Sequence, residues 1–193
     1  MRIAPIASDV GEPVPAASLD DRVRAAVDAH AEVLWRFLRR MGVAEQDAED
    51  AGQAVFLVFA RRVGTIAFGA ERSFLLGTAL RVAANYRKEG HRAREVAVGE
   101  DALADAPHPG PDQEDEAEHK RRREWLDLIL DRLAPELREV FVLAEIEEMT
   151  MAEIALVLRI PPGTVASRLR RAREVFQTEA TALRSRLEGE VRR

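Results

Sequence analysis

An acidic, proline-containing segment divides the chain into two parts whose apolar residues follow helical spacing. Residues 100–118 contain eight acidic residues and no lysine or arginine, with three prolines and a glycine between residues 107 and 111. Such a segment cannot bury enough apolar area to offset the entropy lost when it orders. We therefore expect two small folded units joined by a flexible acidic linker over residues 95–115.

Both parts are rich in alanine, leucine, arginine and glutamate, and the whole chain is 47% hydrophobic and 33% charged. This composition is typical of a mostly helical protein, so the predicted fold class is all-α. Helical spacing of apolar residues predicts helices at about 18–41, 47–63, 71–89, 115–133, from 135, from 151 and from 162. The predicted organisation is a flexible tail (1–17), a first helical domain (18–94), the linker (95–115) and a second helical domain with a helix-turn-helix (116–193).

Several function classes are excluded or disfavoured by what the sequence lacks. The chain of 193 residues has no cysteine, which excludes disulfide scaffolds, thiolate metal sites and cysteine nucleophiles. Its four histidines lack ligand spacing, no glycine-rich phosphate loop is present, and no carboxylate lies in an apolar context. We therefore expect no metal, no cofactor and no catalytic residue, and the chain is not expected to be an enzyme.

The sequence also lacks an apolar stretch of about 18 residues and the basic-then-apolar order of a signal peptide. No membrane insertion is therefore expected, and a cytoplasmic location is predicted. A net charge of −5 argues mildly against nucleic-acid binding, but the charge is segregated. Four arginines and no acidic residue lie between residues 162 and 173. A local basic surface is thus predicted within an acidic chain.

Residues 150–173 have the pattern of a helix-turn-helix. Thr150 and Glu153 form a capping-box sequence before a short apolar stripe, and a tight turn leads to Pro162, a favoured first-turn residue. Guanidinium groups can bind guanine edges or phosphates, and the start of a helix favours an anionic backbone. A solvated arginine face is the alternative, but the capped helix and turn favour DNA contact. The expected DNA-binding side chains are Ser167, Arg168, Arg170, Arg171 and Arg173.

Three segments of the second part carry a family resemblance. Residues 135–143, 149–155 and 160–173 closely resemble region 4 of bacterial RNA polymerase sigma factors of the extracytoplasmic-function group. The resemblance implies that the last helix reads the −35 element of a promoter. Arg159 stands where the family usually has a glycine, so a left-handed residue there would be strained. Ala166 replaces a longer polar residue, which suggests an altered base preference.

The first part more loosely resembles region 2 of the same family. Residues 47–56 resemble the segment that binds the polymerase clamp helices, although Gly52 and Ala54 depart from the usual pattern. These departures leave open weaker polymerase affinity or compensation elsewhere. An acidic helix face, taken alone, indicates exposure to solvent as readily as it indicates a contact with polymerase. The polymerase-binding residues implied by the resemblance are Asp47, Asp50, Gln53 and Phe56.

Residues 74–88 resemble the helix that faces the −10 element, although Arg81 and Asn85 replace the asparagine and aspartate common at those positions. In the family this surface holds the melted strand through base pockets and cations. Phe68 is a hypothetical base-capturing residue, whereas Phe74 is expected in the core. The −10-binding residues implied by the resemblance are Arg81, Asn85, Arg87 and Lys88.

Taken together, the resemblance implies a promoter-specificity subunit whose partners are core RNA polymerase, promoter DNA and an anti-sigma factor. The acidity of the linker either mimics nucleic acid inside the polymerase or has no role of its own. One alternative is a conventional dimeric helix-turn-helix regulator that acts without polymerase. Another is a sigma-like decoy that binds a partner without starting transcription.

Overall fold

The computed structural model describes residues 16–96 and 114–191, and over these ranges the predicted all-α fold is confirmed. The remaining parts of the predicted tail and linker, residues 1–15 and 97–113, lie outside the described residues. None of the described helices is long and apolar enough to cross a membrane. The helices are α1 (Ala16–Arg40), α2 (Glu45–Arg62), α3 (Glu71–Val96), α4 (Glu114–Arg132), α5 (Pro135–Phe141), α6 (Met151–Leu158) and α7 (Pro162–Val191).

Helices α1 to α3 pack against one another around an apolar core. Phe37 and Phe59 are fully buried, and the Phe59 ring meets the Phe74 ring edge-on, with 6.0 Å between centroids. Gly42 ends α1 with φ of +85°, the left-handed conformation that the sequence predicted there. A larger residue in place of Gly42 would put its side chain against Arg138 of the second half.

Two helix boundaries differ from the sequence prediction. Helix α1 begins at Ala16, so Ser18 lies inside its first turn and is not the N-cap that was expected. Helix α3 continues past Gly90 to Val96, where the sequence predicted a stop at the glycine. A glycine in a helix interior costs only about 1 kcal/mol relative to alanine. Neighbouring residues that favour the helix can offset this cost, so the helix continues past Gly90.

Helices α4 to α7 form the second half, and α5 continues into a π-helical turn at Val142–Ile146. The Phe141 ring stacks on Phe176 of α7, with 4.6 Å between centroids. Arg138 is buried and links α5 to the end of α4, because its Nε donates to the Leu130 carbonyl at 2.7 Å. The Phe141–Phe176 stack ties α7 to α5 within this half.

Candidate nucleic-acid interface

The structure forms the predicted helix-turn-helix from α6 and α7. Thr150 Oγ1 accepts a hydrogen bond from the Glu153 backbone N–H at 3.3 Å, and Glu153 Oε2 accepts one from the Thr150 N–H at 2.8 Å. Three residues separate α6 from α7, which begins at Pro162 as predicted. The angle between the helices is filled by the buried side chains of Ile154, Val165, Leu169 and Ala172.

The turn between the two helices carries a strained residue. Arg159 has φ of 55° and ψ of 44°, so it is left-handed, as the family resemblance implied. Its N–H donates to the Ala155 carbonyl and completes the end of α6. A residue with a Cβ pays roughly 1–2 kcal/mol for this conformation. The left-handed conformation of Arg159 therefore lowers the stability of the helix-turn-helix.

Replacing Arg159 with glycine is expected to stabilise the protein by about 1 kcal/mol, because glycine has no Cβ clash and part of the gain is offset by its more flexible unfolded state. Urea denaturation followed by circular dichroism would measure the change. Arg159→Ala is the matched control, since it removes the charge but keeps the Cβ. Equal stabilities of the two variants would show that backbone strain at this residue is not the cause.

The five predicted −35 residues lie on the first turns of α7, but the structure places them in different surroundings. Ser167, Arg170 and Arg171 are exposed. Arg170 also pairs with Glu174 on the same helix, at 3.2 Å between Nη1 and Oε1. Ser167, Arg170 and Arg171 share one face of α7 because they follow the i, i+3, i+4 spacing of a helix surface. This face is open to a DNA groove.

Arg168 and Arg173 lie at the sides of that face, and Arg173 lies next to an acidic group. Arg173 makes a two-pronged contact with Glu145 of the π-helical turn, at 2.9 and 2.6 Å from its Nε and Nη2. Arg168 is half-buried. Burial raises the pKa of Glu139, and the attraction of Arg87 and then of Arg168 opposes that rise.

The predicted −10 residues lie along the second half of α3. Arg81, Asn85 and Lys88 are exposed on one face, again at helical spacing. Arg87 points away from this face: its Nη1 donates to the Met41 carbonyl at 2.7 Å and its Nη2 lies 3.6 Å from Glu139 Oε1. The sequence predicted these four as one set, and the structure groups three of them.

The predicted polymerase-binding residues begin at the N-terminal end of α2. Asp50 and Gln53 are exposed, whereas Phe56 is half-buried against the core. Asp47 lines a cavity of about 700 Å³ between the two halves. Sequence analysis missed Leu57, which is 59% exposed and lies seven residues after Asp50, on the same helix face. That spacing was the signal that could have identified it.

Nothing in the described part of the chain resembles a metal centre, since it holds no cluster of three or more His, Asp or Glu side chains that could bind an ion. The groupings that the structure does create are arginine–carboxylate contacts. They include Arg72–Glu147 where the two halves meet and Arg170–Glu174 on α7, besides contacts within one half such as Arg22–Glu71. The chemistry available at these surfaces is therefore recognition of anions.

Comparisons with known proteins agree with this geometry. Residues 123–175 match the family described as sigma-70, region 4. The chain is 30% identical over 164 residues to the ECF RNA polymerase sigma factor SigE of Mycolicibacterium smegmatis; the match covers 85% of this chain and 62% of that protein. This chain thus spans less than two thirds of its relative's length.

Two solved structures share the fold at lower identity. CnrH, in complex with the cytosolic domain of CnrY, has a TM-score of 0.62 and 20% identity, over 86% of this chain and 94% of that one. The sigma factor RpoE of Bartonella quintana, in complex with the anti-sigma factor NepR, has a TM-score of 0.60 and 18% identity, over 85% of this chain and 97% of that one.

The fold and the arginine-bearing second helix define a helix-turn-helix, a motif whose second helix enters the DNA major groove in DNA-binding proteins. The capped first helix, the left-handed corner and the basic face of α7 all lie within residues 123–175, which match sigma-70 region 4. Residues 123–175 thus match sigma-70 region 4, and 85% of the chain is similar to an RNA polymerase sigma factor of the extracytoplasmic-function group.

Proposed function

We propose that this protein binds core RNA polymerase and directs it to promoters, with α7 reading the −35 element and α3 holding the −10 element. The observation that carries the proposal is the exposed basic face at the start of α7, positioned by a capped helix and a tight turn. The same arrangement presents Ser167, Arg170 and Arg171 as a donor set for base edges and phosphates. In this function the chain itself performs no catalysis, because the polymerase makes the RNA. Its place of action is then the cytoplasm.

The experiment that tests this function is gel filtration of the full chain with core polymerase, followed by run-off transcription. A sigma factor forms a one-to-one complex with the core enzyme and produces a defined transcript. A conventional regulator would instead elute as a dimer that binds palindromic DNA without polymerase. A decoy would bind its partner and yield no transcript. Templates can be taken from promoters whose start sites appear when the protein is overexpressed.

We further propose that an anti-sigma factor is among its partners. The support is the likeness of the fold to the Bartonella quintana sigma factor, whose structure contains the anti-sigma factor NepR. This partner can be tested by affinity purification of the tagged chain before and after a candidate inhibitor is expressed. Transcription is the readout. A true inhibitor lowers run-off transcription in proportion to the complex formed.

The polymerase-binding face can be tested by reversing one charge. Asp50→Arg on α2 is expected to weaken core polymerase binding roughly tenfold, because a cation would replace an exposed acid at the proposed contact. Titration of labelled protein with core enzyme would measure the affinity. Asp28→Arg, an exposed acid on α1, is the control and should bind normally. Equal losses in both variants would point to a general charge effect and against this face.

A further inference from the structure

A single arginine of α1 organises the segment that joins α2 to α3, residues 63–70, here called the α2–α3 connection. Arg22 donates from Nη1 to the Val63 carbonyl and from Nη2 to the Ile66 carbonyl, both at 3.0 Å. The same Nη2 also pairs with the carboxylate of Glu71, the first residue of α3. One guanidinium group therefore binds the start of the connection, its middle and the residue that follows its end.

The contacts of Arg22 are buried. Its side chain is 10% exposed and that of Glu71 is 16% exposed. Burial would raise the pKa of Glu71, but hydrogen bonds from Arg22 and from the backbone outweigh this effect, so the pKa lies below its usual value and the carboxylate stays charged. Nε of Arg22 has no hydrogen-bond partner among the described residues, which costs free energy. A buried pair of this kind fixes the arrangement of its partners even where desolvation offsets its attraction.

Phe68, near the middle of the connection, projects into solvent beside this arginine. Its ring is 74% exposed, and the guanidinium carbon of Arg22 lies 4.0 Å from the ring centroid. Both neighbours in the chain, Ala67 and Gly69, are small and exposed. A Cβ added at Gly69 would meet no described atom within 4 Å. Arg22 thus supports one face of the ring, and the solvent side has room for a second flat group.

The surroundings of Phe68 are positively charged. Residues 51–70 contain two arginines, Arg61 and Arg62, and no acidic residue. Both arginines are exposed in the last turn of α2, directly before the connection. Proteins that bind single-stranded nucleic acid combine such cations, which meet phosphates, with aromatic rings, on which bases stack. Because the bases of a duplex are already stacked on one another, the ligand that fits this surface is an unpaired base with its flanking phosphates.

We propose that Arg22 is a positioning residue for the −10 element: it holds the α2–α3 connection so that the outer face of Phe68 stacks on an unpaired base of the melted strand. This inference rests on the proposed function, which assigns the element to α3, and adds α1 and the connection to the surface. Arg22 itself is too buried to contact the DNA. It acts by ordering the ring in advance, which lowers the entropy lost when the base binds.

Two substitutions of Phe68 test the stacking. The full chain in complex with core polymerase is titrated with a labelled single-stranded oligonucleotide that carries the −10 element of a promoter identified by its start site, and anisotropy is measured. Phe68→Leu keeps an apolar side chain but removes the flat ring, so it should weaken binding at least about fivefold, the low end of one base–aromatic stack. Phe68→Trp keeps a flat face and should bind within about twofold of the wild type. Position 68 is exposed, so both variants should fold.

Arg22→Lys tests the positioning role, because lysine keeps the charge but cannot reproduce the forked hydrogen bonds. In the free chain it should speed hydrogen exchange at least about threefold at the amides of Ile66 and Ala70, which are hydrogen-bonded within the connection. Oligonucleotide affinity should fall about threefold, as for one side chain that must be ordered on binding. Arg24→Lys, at an exposed position of α1, is the matched control and should change neither.

A double variant separates positioning from general support of the fold. If Arg22 acts through Phe68, Arg22→Lys/Phe68→Leu binds the oligonucleotide no more weakly than Phe68→Leu alone. Losses that multiply, unchanged exchange in Arg22→Lys, or full affinity of Phe68→Leu would each overturn the inference. If the wild-type complex binds no promoter DNA and starts no transcription, the proposed function fails instead. Faster exchange in Arg22→Lys than in Arg24→Lys would still support Arg22 as the residue that orders the connection.

Discussion

Replacing Arg168 and Arg171 together by alanine is expected to weaken binding of the polymerase complex to −35 duplex DNA at least about thirtyfold. Each arginine that reads a base edge contributes roughly 1–3 kcal/mol, so the lower bound for two is about 2 kcal/mol. Fluorescence anisotropy with labelled promoter fragments would measure the loss. If the double variant binds as well as the wild type, these arginines do not contact the element.

The matched control lies on the same helix. Arg184 and Arg186 are exposed on α7 beyond residue 175, where the region 4 match ends, and their double alanine variant removes the same charge. It should retain nearly full affinity. The salt dependence separates two roles: loss of a phosphate contact lowers the salt slope by about one for each charge, whereas loss of a base contact mainly relaxes sequence preference.

Replacing Phe141 with alanine is expected to cost about 3–5 kcal/mol of unfolding free energy. The ring is 6% exposed and stacks on Phe176, so the substitution leaves a cavity between α5 and α7 and removes an aromatic contact. Because this contact ties α7 to α5, promoter binding should fall together with stability. Urea denaturation and anisotropy on the same sample would show the two losses.

Phe68→Ala is the comparison for this prediction, since it removes the same ring from a surface position. Phe68 is 74% exposed and contacts Arg22, whose guanidinium carbon lies 4.0 Å from the ring centroid. Its removal should cost less than about 1 kcal/mol. Equal destabilisation by the two substitutions would mean that the Phe141–Phe176 stack does not support the second half.

The helix-turn-helix could be predicted from sequence because its signals are local. Thr150 and Glu153 cap each other within one turn, Pro162 marks the next helix start, and the apolar stripe repeats at helical spacing. Even the left-handed corner at Arg159 followed from its position in the motif. Each of these features depends on residues a few positions apart, which a single sequence displays.

The contacts between the halves could not be predicted, because they join residues far apart along the chain. Arg72 and Glu147 are 75 positions apart, and nothing near Glu147 in the sequence marks this acid for burial. Helical periodicity indicates which face of a helix is covered but not what covers it. For the same reason the sequence placed Arg87 on an open surface, although the Glu139 carboxylate lies beside it.

Helix α7 runs without interruption from the basic face to Val191, 16 residues past the end of the region 4 match. At 1.5 Å per residue the extra length is roughly 24 Å. A reporter domain fused in register with this helix would keep a fixed rotational phase relative to the arginines that are proposed to read DNA. Each residue inserted at the junction would rotate the reporter by about 100° around the helix axis, so a short insertion series could map the orientation of α7 on promoter DNA.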